Sequence, residues 1–164
     1  MTQSSVYEVM AGILADVLSV GRIVFGVQGA SMIEAIPEIL ERIDPAELPL
    51  PREQIARAVI ERERTLPTYL GQGVAVPHAR LEIDGPSLVF AGSEQGIPAK
   101  GGQEKAHVIF MLLTPLAAPQ FQVRLLSRIS GLMHSEYVVE RLREARDPQA
   151  VLEVMRAADP ATLG

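Results

Sequence analysis

The sequence predicts a single three-layer α/β/α domain built on a mixed β-sheet, and three observations predict it. Two short apolar runs, Leu88–Ala91 and His107–Leu113, are bounded by Gly and Pro and have the length of strands buried on both faces. Longer segments carry apolar residues at helical spacing, several of them opening on a capping residue. Strand-like and helix-like segments do not alternate strictly, which favours a mixed sheet over a doubly wound parallel one. At 164 residues the chain is long enough for one domain with a substantial core and short for two. The expected organisation is one domain over 1–164, with its core at about 20–155, an N-terminal helix or extension over 1–19 and a frayed tail over 158–164.

The elements follow in order. The first fifteen residues have weak helical spacing (Val6, Met10, Ile13, Leu14, Val17), and Arg22–Val27 is rich in strand formers and stops at Gly29. Ser31 with Glu34 three residues on is a capping-box pattern, so a helix is expected over 32–43, with Pro37 on its second turn. Three prolines make 44–51 a connector. A second helix is expected over 52–64, with Ile55, Val59 and Ile60 on one side. Pro67, Gly71 and Gly73 make 65–73 a loop, followed by a short strand over 74–76. After the two buried strands, Pro119 opens a helix whose apolar positions are Phe121, Leu125, Ile129, Leu132 and Met133. Two short helices are expected over 136–146 and 148–157, the second capped by Asp147 ahead of Pro148.

Composition narrows the function classes. Apolar residues make up 48% and charged residues 21%, a globular balance, and the formal net charge is −5. An acidic chain without a basic cluster is a poor match for nucleic acid, whose phosphates demand a positive face. The absence of cysteine excludes disulfides, thiol nucleophiles and thiolate metal sites. No segment has the length of a membrane span, and Met1–Ser5 lacks the basic start of a secretion signal. A cytoplasmic protein without direct membrane insertion is expected.

The chemistry concentrates at Gly73-Val74-Ala75-Val76-Pro77-His78-Ala79. Pro77 fixes its own φ, lacks an N–H and biases Val76 towards an extended backbone, so His78 is expected where a strand stops and a loop begins, exposed on a stiff support. The other histidines read differently. His107 opens an apolar strand and reads as structural, and His134 reads as a solvent-facing helix end. No metal-ligand spacing, phosphate-binding Gly-Lys loop or Gly-x-Ser-x-Gly elbow is present, and Gly101-Gly102 is a turn signal. Upstream of His78, the second helix ends in Glu61-Arg62-Glu63-Arg64, a charged run that by itself reads as mostly a solvated face. The turn-rich connector from Arg62 to His78 is short enough to bring a guanidinium beside the imidazole. A forked permanent cation is the natural partner of a phosphorylated histidine. Hydroxyl and N–H donors from Thr65, Thr68 and Gly71 to Gly73 could complete an anion-binding nest.

The whole run from Arg62 to Arg80 resembles the active-site signature of enzyme IIA domains of the bacterial phosphotransferase system, of the fructose/mannitol type that includes nitrogen-regulatory members. It carries Arg62-Glu63, Thr68 five residues after that Glu, Gly71-x-Gly73, and Val74-Ala75-Val76-Pro77-His78 at the family's separation from Arg to His. His107 to Pro115 is similar to the family's later core strand, and Val123 to Met133 to the helix after it; most of 20–155 can be laid over the pattern.

The resemblance implies the type-2 IIA fold (phosphotransferase/anion-transport-like). It implies that His78 accepts a phosphoryl group from the histidine-containing phosphocarrier protein, that Arg62 stabilises the phosphate and that Thr68, Gly71 and Gly73 support the site. It implies transfer to a IIB partner or use of the phosphate as a regulatory signal, with no cofactor and no metal. One departure is evident: many members carry a second active-site histidine at the start of the later helix, and here Gln122 holds that position, followed by Val123. Glutamine donates and accepts hydrogen bonds but does not titrate. The alternative reading is therefore a non-enzymatic regulatory module of the same fold, docking onto a target protein with transfer weakened.

Overall fold

The structure is a computed structural model that describes residues 14–159. At its centre, β5 (Ser87–Ala99) and β6 (Glu104–Pro115) form an antiparallel hairpin paired from Ser87 opposite Leu113 to Ala99 opposite Glu104. Val108, Phe110 and Leu112 enter the core on one face, while Ile109, Met111 and Leu113 enter the core on the other. An unbroken apolar run is what two covered faces require. Phe90 meets Phe110 edge-on across the pair, their ring centroids 5.4 Å apart. The hairpin closes through Lys100, Gly101 and Gly102, all at positive φ, a turn that the two glycines make without Cβ strain. β5 is longer than the four residues expected. Its register shifts between Gly92 and Ile97, and this bulge carries the strand through a polar stretch that reads as a loop.

The rest of the sheet is built outward from this pair. β1 (Leu18–Val24) lies parallel to β5, and β2 (Tyr69–Gly71) lies antiparallel to β3 (Val74–Ala75). β3 and β4 (His78–Leu81) both run parallel to β6. The sheet is mixed, as expected. α1 (Met32–Glu41) and α2 (Arg52–Thr65) cover one face through Ile36, Ile39, Leu40, Ile55 and Val59. α3 (Pro119–Met133), α4 (Glu136–Glu144) and α5 (Pro148–Ala158) cover the other through Phe121, Leu125, Ile129, Leu142 and Leu152. The capping signals operate as read: Ser31 Oγ accepts from Glu34 N–H at 3.2 Å, and Asp147 Oδ1 accepts from Ala150 N–H at 2.9 Å. α1 continues through Pro37, which removes one donor from its second turn and does not end it. No helix among the described residues is long and apolar enough to cross a membrane.

Three expectations change. First, the strand over 74–76 does not end in a loop at His78. β3 stops at Ala75, and after the break at Val76-Pro77 the chain resumes as β4 on the same edge of β6, with His78 opposite Leu112. Second, of the helical extension expected over 1–19, residues 1–13 lie outside the described residues. Leu14–Val17 forms one 3-10 turn, and the strand begins at Leu18 rather than Arg22. Third, the tail expected over 158–164 lies outside the described residues from 160 onward, and Asp159 is held firmly. It is 2% exposed, accepts from Leu14 N–H at 2.6 Å and pairs with Arg128 of α3. The carboxylate satisfies a donor at one end of the described chain from a position at the other.

Removing one partner of a buried ion pair strands the other charge. Asp159→Ala is therefore expected to lower stability by about 3 kcal/mol, with urea unfolding as the measurement. An unchanged midpoint would mean the clamp contributes nothing.

Candidate functional site

The site grows from the break at Pro77. Pro77 has no N–H to give a neighbouring strand, but its carbonyl accepts from Leu112 N–H at 3.0 Å, which keeps the chain registered on β6. One residue on, His78 starts β4. Its Nδ1 lies 2.8 Å from the Val76 carbonyl oxygen. A carbonyl only accepts, so Nδ1 carries the proton and Nε2 keeps its lone pair. The backbone thus selects the tautomer.

His78 is 6% exposed, against the exposed position expected for it. Burial holds its pKa below the ordinary histidine value. The Val76 carbonyl opposes that effect, the Arg62 guanidinium reinforces it and Glu63 opposes it. The connector therefore does bring Arg62 into the electrostatic neighbourhood of His78. Its hydrogen bonding is directed elsewhere, with Nη1 donating to the Leu66 carbonyl at 2.9 Å.

Of the hydroxyl and amide donors expected to line a nest, those of Thr65, Thr68 and Gly73 are already engaged. Thr65 Oγ1 donates to the Glu61 carbonyl at 3.1 Å. Thr68 donates its hydroxyl to Glu63 Oε1 at 2.6 Å and its N–H to Glu63 Oε2 at 3.1 Å. Gly73 N–H donates to the Tyr69 hydroxyl at 3.0 Å. Gly71, Gln72 and Gly73 all have positive φ and form the tight turn between β2 and β3. The two glycines thus serve the geometry of the turn. Thr68 also ties the loop to the strand, its carbonyl accepting from Val76 N–H at 3.1 Å.

Glu63 is the residue that sequence reasoning passed over. It is 7% exposed, grips Thr68 with both carboxylate oxygens and acts electrostatically on His78. A signal was present, since Ile55, Val59 and Glu63 recur every four residues and form the buried stripe of α2. Gln122 sits half-buried on the first turn of α3, one position past Phe121, and among the described residues no hydrogen bond joins it to His78. His107 is half-buried in β6 with its Nδ1 3.0 Å from the Ser93 carbonyl, and His134 is the exposed C-cap of α3; both match their structural readings.

This arrangement presents one neutral imidazole, oriented by its own backbone and under the electrostatic influence of a guanidinium and a carboxylate, with Nε2 left as its unprotonated nitrogen. Known proteins share the frame around it. The chain is 34% identical over 106 residues to the fructose-specific EIIA component of the phosphotransferase system of Haloferax volcanii, a match covering 63% of this chain and 69% of that protein. It is 30% identical over 110 residues to the nitrogen regulatory protein of Bradyrhizobium diazoefficiens, covering 66% and 71%. It spans only 23% of the fructose-specific EIIABC component of Bacillus subtilis, at 25% identity over 148 residues. The crystal structure of nitrogen regulatory protein IIA-Ntr from Neisseria meningitidis superposes with a TM-score of 0.76 at 23% identity, covering 87% of this chain and 98% of that one. Residues 16–158, and with them every strand and helix described above, match the EIIA 2 family of the phosphoenolpyruvate-dependent sugar phosphotransferase system, and the chain belongs to that family.

Proposed function

We propose that this protein is a phosphoryl carrier that accepts phosphate on His78 Nε2 from the histidine-containing phosphocarrier protein. It passes the group to a IIB partner or holds it as a regulatory signal. The observation that carries this reading is the Nδ1–H bond to the Val76 carbonyl, which leaves Nε2 as the only basic nitrogen of the ring. Burial keeps the ring neutral near pH 7, so the nucleophile is present without a general base.

In the transfer step the Nε2 lone pair forms a bond to phosphorus as the donor's N–P bond breaks, and the donor imidazole leaves with that electron pair. The Nδ1 proton stays on His78. Positive charge developing on the ring is stabilised by the Val76 carbonyl and by Glu63, and Arg62 supplies the charge opposite the phosphoryl oxygens.

The surroundings suit a protein partner. Of the six large hydrophobic side chains that stand exposed among the described residues, four come from segments that flank the site: Leu66 follows α2, Leu70 lies in β2, Leu116 follows β6 and Val123 follows Gln122. Leu116 N–H bonds the Leu81 carbonyl at the end of β4, so that leucine borders the His78 strand directly. Apolar side chains on the surface around a buried nucleophile favour docking of another protein's surface.

The second reading, a regulatory module that docks without efficient transfer, is favoured by Gln122, a residue that does not titrate, at the position where the resemblance implies a second active-site histidine. The two readings share a fold and separate on chemistry.

Phosphoenolpyruvate with the general phosphotransferase proteins is expected to label the wild type with an acid-labile, base-stable phosphate and to leave His78→Ala unlabelled. An unlabelled wild type, with a control IIA domain charged in parallel, selects the docking module. The pH dependence carries its own sign. Because the folded-state pKa of His78 is depressed, the neutral ring persists below the ordinary value of about 6.5. The acceptance rate is therefore expected to fall with falling pH at a midpoint below about 6.5. Between 6.5 and the lowered value the unfolded chain binds more protons, so stability falls as pH falls, and His78→Gln removes that part of the slope. A rate profile with its midpoint above 6.5 contradicts the buried, neutral ring. Gln122→His is expected to raise the transfer rate on the order of tenfold with little change in melting temperature, measured by rapid-quench labelling and thermal denaturation. Unfolding of this variant would make Gln122 a packing residue.

A further inference from the structure

We propose that Arg80 and Thr114, a cross-strand pair two residues beyond His78 on the same face of the sheet, supply the direct donors to the phosphoryl group on His78 Nε2. The inference rests on His78 being the acceptor.

The strand register makes the placement. β4 and β6 are aligned with His78 opposite Leu112 and Arg80 opposite Thr114. Ala79 and Leu81 enter the core beneath α1 and α2, whereas Leu112 enters the core beneath α3. Alternation then puts His78, Arg80 and Thr114 on the α3 side. Two residues along a strand span roughly 6–7 Å. That distance can be bridged by a phosphoryl group projecting from Nε2 and by the long stem of an arginine.

The state of the donors makes the case. A phosphoryl group offers three oxygens that need hydrogen-bond or ionic partners. On the loop side of His78, Thr65, Thr68 and Gly73 have spent their donors within the protein, and Arg62 directs an N–H to Leu66. On the α3 side the situation is reversed. Thr114 is 0% exposed, and its hydroxyl is without a hydrogen-bond partner, the single buried side-chain polar atom in that condition among the described residues. A buried hydroxyl left unpaired is destabilising, and valine would fill the same volume at no such cost. Arg80 is exposed, and among the described residues its guanidinium enters no ion pair or hydrogen bond. One side chain lacks an acceptor and its cross-strand neighbour lacks an anion. A phosphoryl group on Nε2 supplies both, with the hydroxyl donating to one oxygen and the guanidinium to another. His78 would then be charged between two cations, with Arg62 acting from the α2 side through its field and Arg80 from the α3 side by contact.

The test measures the rate of phosphoryl acceptance, and the equilibrium of phosphate between the histidine-containing phosphocarrier protein and this chain, in wild type, Thr114→Val, Thr114→Ser and Arg80→Gln. Thr114→Val is expected to keep or raise the melting temperature while slowing acceptance and shifting the equilibrium towards the donor by roughly tenfold. Thr114→Ser retains the hydroxyl and is expected to stay near wild type. Arg80→Gln, at an exposed position, is expected to lose roughly tenfold with the fold intact. Wild-type rate and equilibrium in both Thr114→Val and Arg80→Gln would overturn the proposal. So would an equal loss in Thr114→Ser and Thr114→Val, which would assign the effect to packing. Failure of the wild type itself to take label would strike the reading of His78 and take this inference with it.

Discussion

The site depends on an interruption in the line of chain that pairs with one side of β6. Pro77 cannot donate, so that line breaks between β3 and β4; its carbonyl still accepts from Leu112, so the break does not become a free loop. With the chain held on both sides of the break, the Val76 carbonyl is positioned to take the proton of a ring two residues away. A continuous strand would spend that carbonyl differently, and a true loop would leave the ring without an orientation. One imino acid accounts for the rigidity of His78 and for which of its nitrogens is basic.

Around that ring, opposing effects are balanced by position. Burial and Arg62 favour the neutral imidazole, while the Val76 carbonyl and Glu63 favour the charged one. Burial is the largest of the four, so the resting ring is neutral. Glu63 can sit at 7% exposure because Thr68 provides two donors for its oxygens, and the same pair of bonds pins the loop that runs from α2 to the sheet. Electrostatics and loop anchoring are thus one structure.

Much of this was legible in the sequence, and the gaps have physical reasons. Ser31, Asp147 and the two apolar runs announced their elements because caps and buried strands act through residues adjacent in sequence. His78, Pro77 and Arg62 were legible for the same reason, all lying in one short segment. The length of β5 was not, because its bulge runs through Ser93-Glu94-Gln95, whose polarity reads as a loop while Ile97 resumes the pairing. The exposure of His78 was overestimated, because a proline breaks a strand locally but the parallel neighbour that recaptures it comes from residue 112. The hydroxyl of Thr68 read as free because its acceptor Glu63 sits in a charged run that reads as a solvated face, and that of Thr65 because its acceptor is a backbone carbonyl, of Glu61, which side-chain patterning does not reveal. Asp159 looked like tail because its partners are 31 and 145 residues away.

That last contact has a topological consequence. With the Leu14 amide bonded to the Asp159 carboxylate, the polypeptide within these bounds is nearly a closed ring, and the closure lies against α3 and α5 on the face opposite α1 and α2. Joining the two ends through a few small residues and reopening the backbone at the exposed Gly101–Gly102 corner would disturb neither core. Such a circular permutant would keep the Pro77 break and its histidine, and a domain entered and left at one point can be spliced into a longer chain without prying its sheet apart.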